Sequence, residues 1–117
     1  MVNKVILVGN LAADPDVKAT PKGIYVAKIR LATHTYVGKD EEGKAKEETE
    51  FHRLVAFGKL AEFAGNHLHK GTLVSVEGRL QTSTWDDAAT GQKRYWTEVA
   101  ADDISFVGPK PREEAAA

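Results

Sequence analysis

The sequence contains no cysteine, which excludes a disulfide framework, thiolate metal sites and a cysteine nucleophile. It also lacks an apolar run near the ~18 residues that a membrane-spanning helix requires, so we expect no membrane partner. The first residues carry neither the basic nor the long apolar segment of a signal peptide, and we therefore expect a cytoplasmic protein.

A strong net charge is absent too, because 16 Lys and Arg nearly balance 17 Asp and Glu over the 117 residues. Acidic residues cluster in pairs and triples, whereas basic residues are spread along segments that we predict to be strands. Phosphate binding responds to local potential, so a chain that is neutral overall can still present a basic face. Net charge therefore neither supports nor excludes a nucleic-acid partner.

Alternating and β-branched segments predict five strands. The spacing of apolar residues from Gly58 to Lys70 predicts one helix, and Gly71 follows where a helix commonly ends. The predicted strands cover residues 2–11, 23–36, 50–58, 72–84 and 94–107.

Turns are predicted at Asp14-Pro15 and over Thr20–Gly23, and long hairpin loops over Gly38–Glu48 and Asp86–Lys93. Five strands with one helix between strands 3 and 4 is the order of an OB-fold, an all-β, partly open five-stranded Greek-key barrel. We expect this barrel to occupy residues 1–108, and residues 109–117 to form a flexible C-terminal tail.

The most informative motif lies in the third predicted strand, where Phe51, Arg53 and Phe57 share one face at a period of two. Exposed rings can stack on nucleic-acid bases, and an arginine beside them can neutralise phosphate or stack. The alternative is that both rings are core residues and that the stem of Arg53 lies along apolar surface. The motif by itself leaves both interpretations open.

Three further aromatic residues are candidates for the same surface. Trp85 stands at the base of a polar loop, where it either plugs the barrel end or stacks on a ligand. Tyr36 shares its face with Lys28 and Arg30 unless an irregularity near the loop turns it over. Trp96 fits either barrel packing or a ligand-side platform.

Catalytic chemistry is not indicated. The four histidines, which include His52, lack metal-ligand spacing, no phosphate-binding glycine loop occurs, and paired acids lie in predicted loops. We therefore expect no catalytic residue, no metal and no cofactor.

The segment Val2–Val8 is apolar on both faces of its predicted strand. A single small barrel needs to bury only one of these faces, so the segment predicts that copies of the chain associate.

A series of segments follows a known pattern in order along nearly the whole chain: VNKVILVGNL followed by Asp14-Pro15, EFHRLVAFGKLAE over residues 50–62, VEGRL over 76–80, Trp85, and GQKRY over 91–95. Through these segments the sequence resembles the bacterial single-stranded DNA-binding protein family. The resemblance implies an OB-fold subunit that assembles as a homotetramer or, as the second choice, as a homodimer. It also implies a nucleoid-associated protein that binds single-stranded DNA with little sequence preference during replication, recombination and repair.

The resemblance carries stacking roles onto Phe51, Phe57 and Trp85, with Tyr36 and Trp96 as further candidates. It places basic residues near the DNA path at Lys18, Lys28, Arg30, Arg53, Lys59, Lys70 and Arg94. The expected oligomer interface comprises Lys4, Ile6, Val8 and His52.

Several residues depart from the family pattern. Phe51 stands where a tryptophan is common, and Val37 stands where the family often has the aromatic residue that we assign to Tyr36. Gln81, Thr82, Ser83 and Thr84 replace frequent basic residues, which predicts a shallower salt dependence of binding than in such relatives. The usual long tail with its acidic tip is missing from the sequence, so we expect contacts with replication and repair proteins only where a native chain carries that tail.

Two other functions fit the pattern. An OB-fold can dock a protein on its aromatic face, as in an accessory factor of replication restart, or belong to a hydrolase or nuclease. Simultaneous replacement of Phe57 and Trp85 separates the first from DNA binding, and an assay for DNA cleavage addresses the second.

Overall fold

The computed structural model describes residues 1–108, which form six strands and one helix. The long strands β3 to β6 carry most of the sheet. The elements are β1 (Val5–Leu11), β2 (Asp16–Ala19), β3 (Tyr25–Lys39), β4 (Ala45–Phe57), α1 (Lys59–His67), β5 (Leu73–Asp86) and β6 (Lys93–Phe106).

Five of the strands close into a barrel. The sheet order is β1-β5-β6-β4-β3-β2, and β1 also pairs with β3, which joins the two ends of the five-strand set. A Cβ at Gly9 would collide with the carbonyl oxygen of Ala32, so only glycine allows β1 to approach β3 this closely. The parallel contact of β4 with β6 is also short, since it pairs only Leu54 with Val99 and Val55 with Ala100.

Alternation along the strands fills the barrel interior. Ala27, Ile29 and Leu31 of β3 are buried, whereas Tyr25 at the start of the same face is exposed. On β4 the side chains of Leu54 and Ala56 are buried. The barrel core also includes Leu11, Val74, Val76, Val99 and Ile104.

Helix α1 covers one end of the barrel. It begins after Gly58, whose φ of 63° is a left-handed conformation that favours glycine, and its Ala61 and Ala64 are buried. The ring of Phe63 contacts that of Phe106 edge-on, with centroids 5.7 Å apart. The helix therefore completes the hydrophobic core at this end.

The structure corrects three boundaries. Between the two predicted turns lies an unpredicted strand, β2, which pairs with the outer edge of β3, so the helix falls between strands 4 and 5 of the full count. The predicted hairpin loop over Gly38–Glu48 is present but shorter, because strand pairing continues to Lys39 and resumes at Ala45. The first strand begins at Val5 rather than Val2. The predicted tail over 109–117 lies outside the described residues.

Candidate nucleic-acid interface

The outward side of the sheet carries a continuous set of rings and cations, which we call the aromatic face. Phe51 and Phe57 of β4 are 54% and 51% exposed, so they are surface residues and not core. Strand register aligns Val26 of β3 with Phe57, and Lys18 of β2 with Val26. The aromatic face comprises Lys18, Lys28, Arg30, Phe51, Arg53, Phe57, Trp85, Arg94 and Trp96.

Two arginines meet at the centre of this face. Arg30 and Arg53 are direct partners across β3 and β4, a position where like charges repel. Each guanidinium instead lies over a ring: Arg30 Cζ is 4.3 Å from the centroid of Phe51, and Arg53 Cζ is 3.8 Å from that of Trp96. The pairing concentrates positive charge while attraction to the ring faces stabilises each cation.

Trp96 is the most constrained ring of the face. Its indole Nε1–H donates to Oε2 of Glu98 at 3.1 Å, and it is 38% exposed. Arg53, which covers one side of the indole, also donates from Nη2 to the backbone oxygen of Thr97 at 3.0 Å. The structure therefore places Trp96 on the surface and not in the barrel core.

Trp85 lies at the far end of the same face, where β5 runs toward the hairpin turn. It is 49% exposed and pairs in register with Arg94 of β6. The Nε of Arg94 donates to Oδ2 of Asp87 at 3.1 Å. The pKa of Asp87 is lowered, first because the backbone N–H of Ala89 donates to its carboxylate and then because Arg94 does.

The remaining predicted DNA-binding residues lie around this centre. Tyr36 is exposed and keeps the face of Arg30, because the register irregularity falls after it, between Tyr36 and Lys39. Lys59 is the first residue of α1, and Lys70 follows the helix, where its backbone N–H donates to Asp14. Lys59 and Lys70 therefore lie off the sheet, beside the aromatic face.

A cavity of about 660 Å³ opens on this side of the molecule. It lies between β4 and β6, where the two strands are no longer paired on the N-terminal side of Leu54 and Val99. Apolar groups of Leu54, Leu80 and Val99 line it, together with Phe51 and Trp96. Lys28, Arg30 and Arg53 also contribute to its lining. The combination of rings and cations around a concave surface suits a polyanion with flat bases.

The predicted interface residues occupy two places. Lys4, Ile6 and Val8 form what we call the β1 face, where Ile6 is 63% exposed and Val8 53%, and where Lys4 pairs with Glu77 at 3.3 Å. His52 lies instead on β4, half-buried, with its Nε2 2.8 Å from Oγ1 of Thr33. Strand β3 separates it from β1.

The contact of Glu98 with Trp96 was not predicted from sequence. The only available signal was the period-two spacing of the two residues, which places them on one face of β6. Within residues 1–108, no group of three or more His, Asp or Glu residues could hold a metal ion, and no helix is long and apolar enough to span a membrane.

Comparison with known proteins gives the same fold. A Plasmodium falciparum SSB solved in complex with ssDNA matches with a TM-score of 0.78 and 28% identity, over 92% of this chain and 97% of that chain. A deletion mutant of the single-stranded DNA binding protein from Thermus aquaticus matches with a TM-score of 0.75 and 36% identity, over 92% of this chain. This chain covers 51% of that chain, so it spans about half the length of the T. aquaticus deletion mutant.

The barrel is thus an OB-fold with an aromatic and cationic outer face, as the sequence predicted. Single-stranded DNA-binding protein 1 of Chlorobaculum tepidum is 46% identical over 109 residues, which cover 93% of this chain and 67% of the relative. The model of the single-strand binding protein family matches residues 2–107, and the chain belongs to that family.

Proposed function

We propose that the chain binds single-stranded DNA with little sequence preference, as a non-enzymatic protein that protects and organises DNA in replication, recombination and repair. One observation carries the proposal: Phe51, Phe57 and Trp85 present half-exposed rings on the same face as a row of cations. Every base has a π-face, so such rings stack on single strands of any sequence.

Duplex DNA is excluded by the same chemistry, because its bases are already stacked and paired and cannot reach the rings. The basic residues of the aromatic face, with Lys59 and Lys70 beside it, attract the phosphate backbone and make binding dependent on salt. We propose that residues 1–108 form the complete DNA-binding domain. A stacking surface does not read the 2′-hydroxyl, so an RNA oligonucleotide belongs in the same assay.

The β1 face supports association of copies of the chain, as a homotetramer or, second, a homodimer. Ile6 and Val8 expose aliphatic surface on the outside of the barrel, and burial against a second copy removes that surface from water. A homotetramer would bring four aromatic faces to one DNA strand, which multiplies affinity through effective concentration.

The test replaces two rings together, Phe57→Ala and Trp85→Ala. We expect affinity for a labelled thymidine oligonucleotide, measured by fluorescence anisotropy, to fall at least about 30-fold, because each stack contributes about 1–3 kcal/mol. Tyr95→Ala is the matched control, since Tyr95 is an exposed ring on the opposite side of the β5–β6 hairpin.

Circular dichroism establishes that each variant is folded, and a duplex of the same length measures binding that does not use stacking. Unchanged DNA affinity in the folded double variant would contradict the proposal. It would favour instead a protein partner on the aromatic face.

A further inference from the structure

We propose that Arg53 and Glu98 hold Trp96 as a one-sided stacking platform, with Arg53 covering one side of the ring and Glu98 fixing its edge. In this assignment Arg53 acts mainly through Trp96 and not as a phosphate contact, and Glu98 is a positioning residue. The inference rests on the proposed binding of single-stranded DNA and deepens the account of that same face.

Three contacts converge on one short segment of β6. The guanidinium of Arg53 lies 3.8 Å from the ring centroid of Trp96, and its Nη2 donates to the oxygen of Thr97 at 3.0 Å. Glu98 accepts the indole N–H at 3.1 Å. One side and one edge of the indole are therefore occupied, while Trp96 as a whole is still 38% exposed, and we infer that a base stacks on this remaining surface.

Arg53 also links two strands at the seam between β4 and β6. Backbone pairing ends at Leu54 and Val99, and the strands diverge toward Arg53 and Thr97. The hydrogen bond from Arg53 to Thr97 spans this gap. Because Arg53 links two strands and stacks on a ring, its side chain has less conformational freedom than an arginine that binds phosphate on an open surface.

Glu98 lies on the aromatic face, where its carboxylate repels the phosphates that the neighbouring cations attract. Glu98 therefore does not help to neutralise the charge of the DNA phosphates. Its contact with Trp96 provides another reason for its position. A ring already held in place loses less conformational freedom when a base stacks on it.

Arg53 is tested with Trp96 as the sole tryptophan, in a Trp85→Phe background, by titration with a thymidine oligonucleotide at several salt concentrations. We expect Arg53→Lys to weaken affinity roughly fivefold, near the lower limit for one base stack, and to reduce quenching of Trp96 with the salt slope unchanged. Lysine keeps the charge but not the planar group that stacks on the ring.

The alternative role gives the opposite pattern. If Arg53 chiefly neutralises phosphate, Arg53→Lys retains affinity and quenching, and Arg53→Gln lowers the salt slope by about 0.7. That pattern would overturn the proposal. Arg79→Lys and Arg79→Gln are the matched controls, because Arg79 is ion-paired with Asp102 at 2.9 Å on β5.

Two variants of Glu98 isolate its hydrogen bond from its charge. Glu98→Gln and Glu98→Ala remove the same negative charge, but only glutamine retains an oxygen that can accept the indole N–H. In Glu98→Gln we expect the oligonucleotide to quench the fluorescence of Trp96 as in the unsubstituted chain, with unchanged or higher affinity. In Glu98→Ala we expect this quenching to be lost and the affinity to be a few-fold weaker than in Glu98→Gln. Equal behaviour of the two variants would overturn the positioning role.

Failure of this inference is distinguishable from failure of the proposed function. If the unsubstituted chain does not bind the oligonucleotide, the proposed function is wrong, and the DNA-binding role of Arg53, Trp96 and Glu98 is wrong with it. If that chain binds, but Arg53→Lys and Glu98→Ala leave the near-ultraviolet circular dichroism of the DNA-free protein and the quenching of Trp96 unchanged, only the present inference is overturned.

Discussion

The aromatic face and the β1 face both expose apolar side chains on strands of the same barrel, yet they differ in chemistry. On the aromatic face, guanidinium groups lie over the rings of Phe51 and Trp96. On the β1 face, aliphatic Ile6 and Val8 stand beside an ion pair of Lys4 with Glu77.

This difference shows what each surface can bind. Aromatic rings interact directionally, through stacking and with cations, so they suit a flat base joined to phosphate. Aliphatic groups gain mainly by leaving water and accept any complementary apolar surface. One small barrel can therefore bind a nucleic acid on one side and a second copy of itself on another.

Separation of the two faces gives the largest expected effect. Ile6→Asp with Val8→Asp places two charges on the β1 face, and we expect sedimentation to show monomers where the unsubstituted chain associates. A short oligonucleotide that fits one subunit should bind within about twofold of normal, since no ring or cation of the aromatic face changes. Phe57→Ala with Trp85→Ala serves as the reciprocal variant and should leave the assembly intact.

The barrel closure beneath the β1 face provides the next prediction. Gly9→Ala forces a methyl group against the carbonyl of Ala32, and we expect the free energy of unfolding to fall by about 1–3 kcal/mol. Urea titration followed by circular dichroism measures it. Unaltered stability would mean that β1 and β3 do not approach as closely as the structure shows.

The charge of the aromatic face can be increased. Ser83 pairs in register with Trp96, so Ser83→Arg adds a cation beside the rings. We expect the slope of log affinity against log salt to become steeper by about 0.7, the value for one additional phosphate contact on a single strand. Thr82→Arg, on the other side of β5, is the matched control and should change the slope less.

The smallest effect concerns Asp87 in the β5–β6 turn. Its pKa is lowered by the Ala89 N–H and by Arg94, so its stabilising contribution is present above the ordinary carboxyl pKa and is lost as the pH falls through the lower value of the folded protein. Asp87→Asn should therefore lower the melting temperature slightly at neutral pH, and the difference should shrink in acid. A difference in melting temperature that stays the same from neutral to acid pH would contradict this linkage.

Much of the fold followed from the alternation of apolar residues, but pairing between distant segments did not. The segment Asp16–Ala19 is only four residues long between two prolines, and its strand forms because β3 offers a free edge and Val17 packs against Gly65 of the helix. The charged residues near Gly38–Glu48 indicated a loop, because two exposed strands that pair only with each other leave no hydrophobic pattern.

The candidate site shows the same division. Period two sufficed to place Phe51, Arg53 and Phe57 on one face of a strand. The position of Arg53 over Trp96 depends on how β4 meets β6, whereas the hydrogen bond of that ring to Glu98 joins two residues of β6 that are only two positions apart. Arg53 and its hydrogen-bond partner Thr97 are separated by 44 positions, so no local pattern contains the contact between the two strands.

Rings of the aromatic face are expected to stack on the bases of single strands. The most direct test is quenching of tryptophan fluorescence by a thymidine oligonucleotide, compared with a duplex at the same salt concentration. We expect strong quenching by the single strand and little by the duplex. Absence of both quenching and binding with the single strand would contradict it, and would leave the fold without this function.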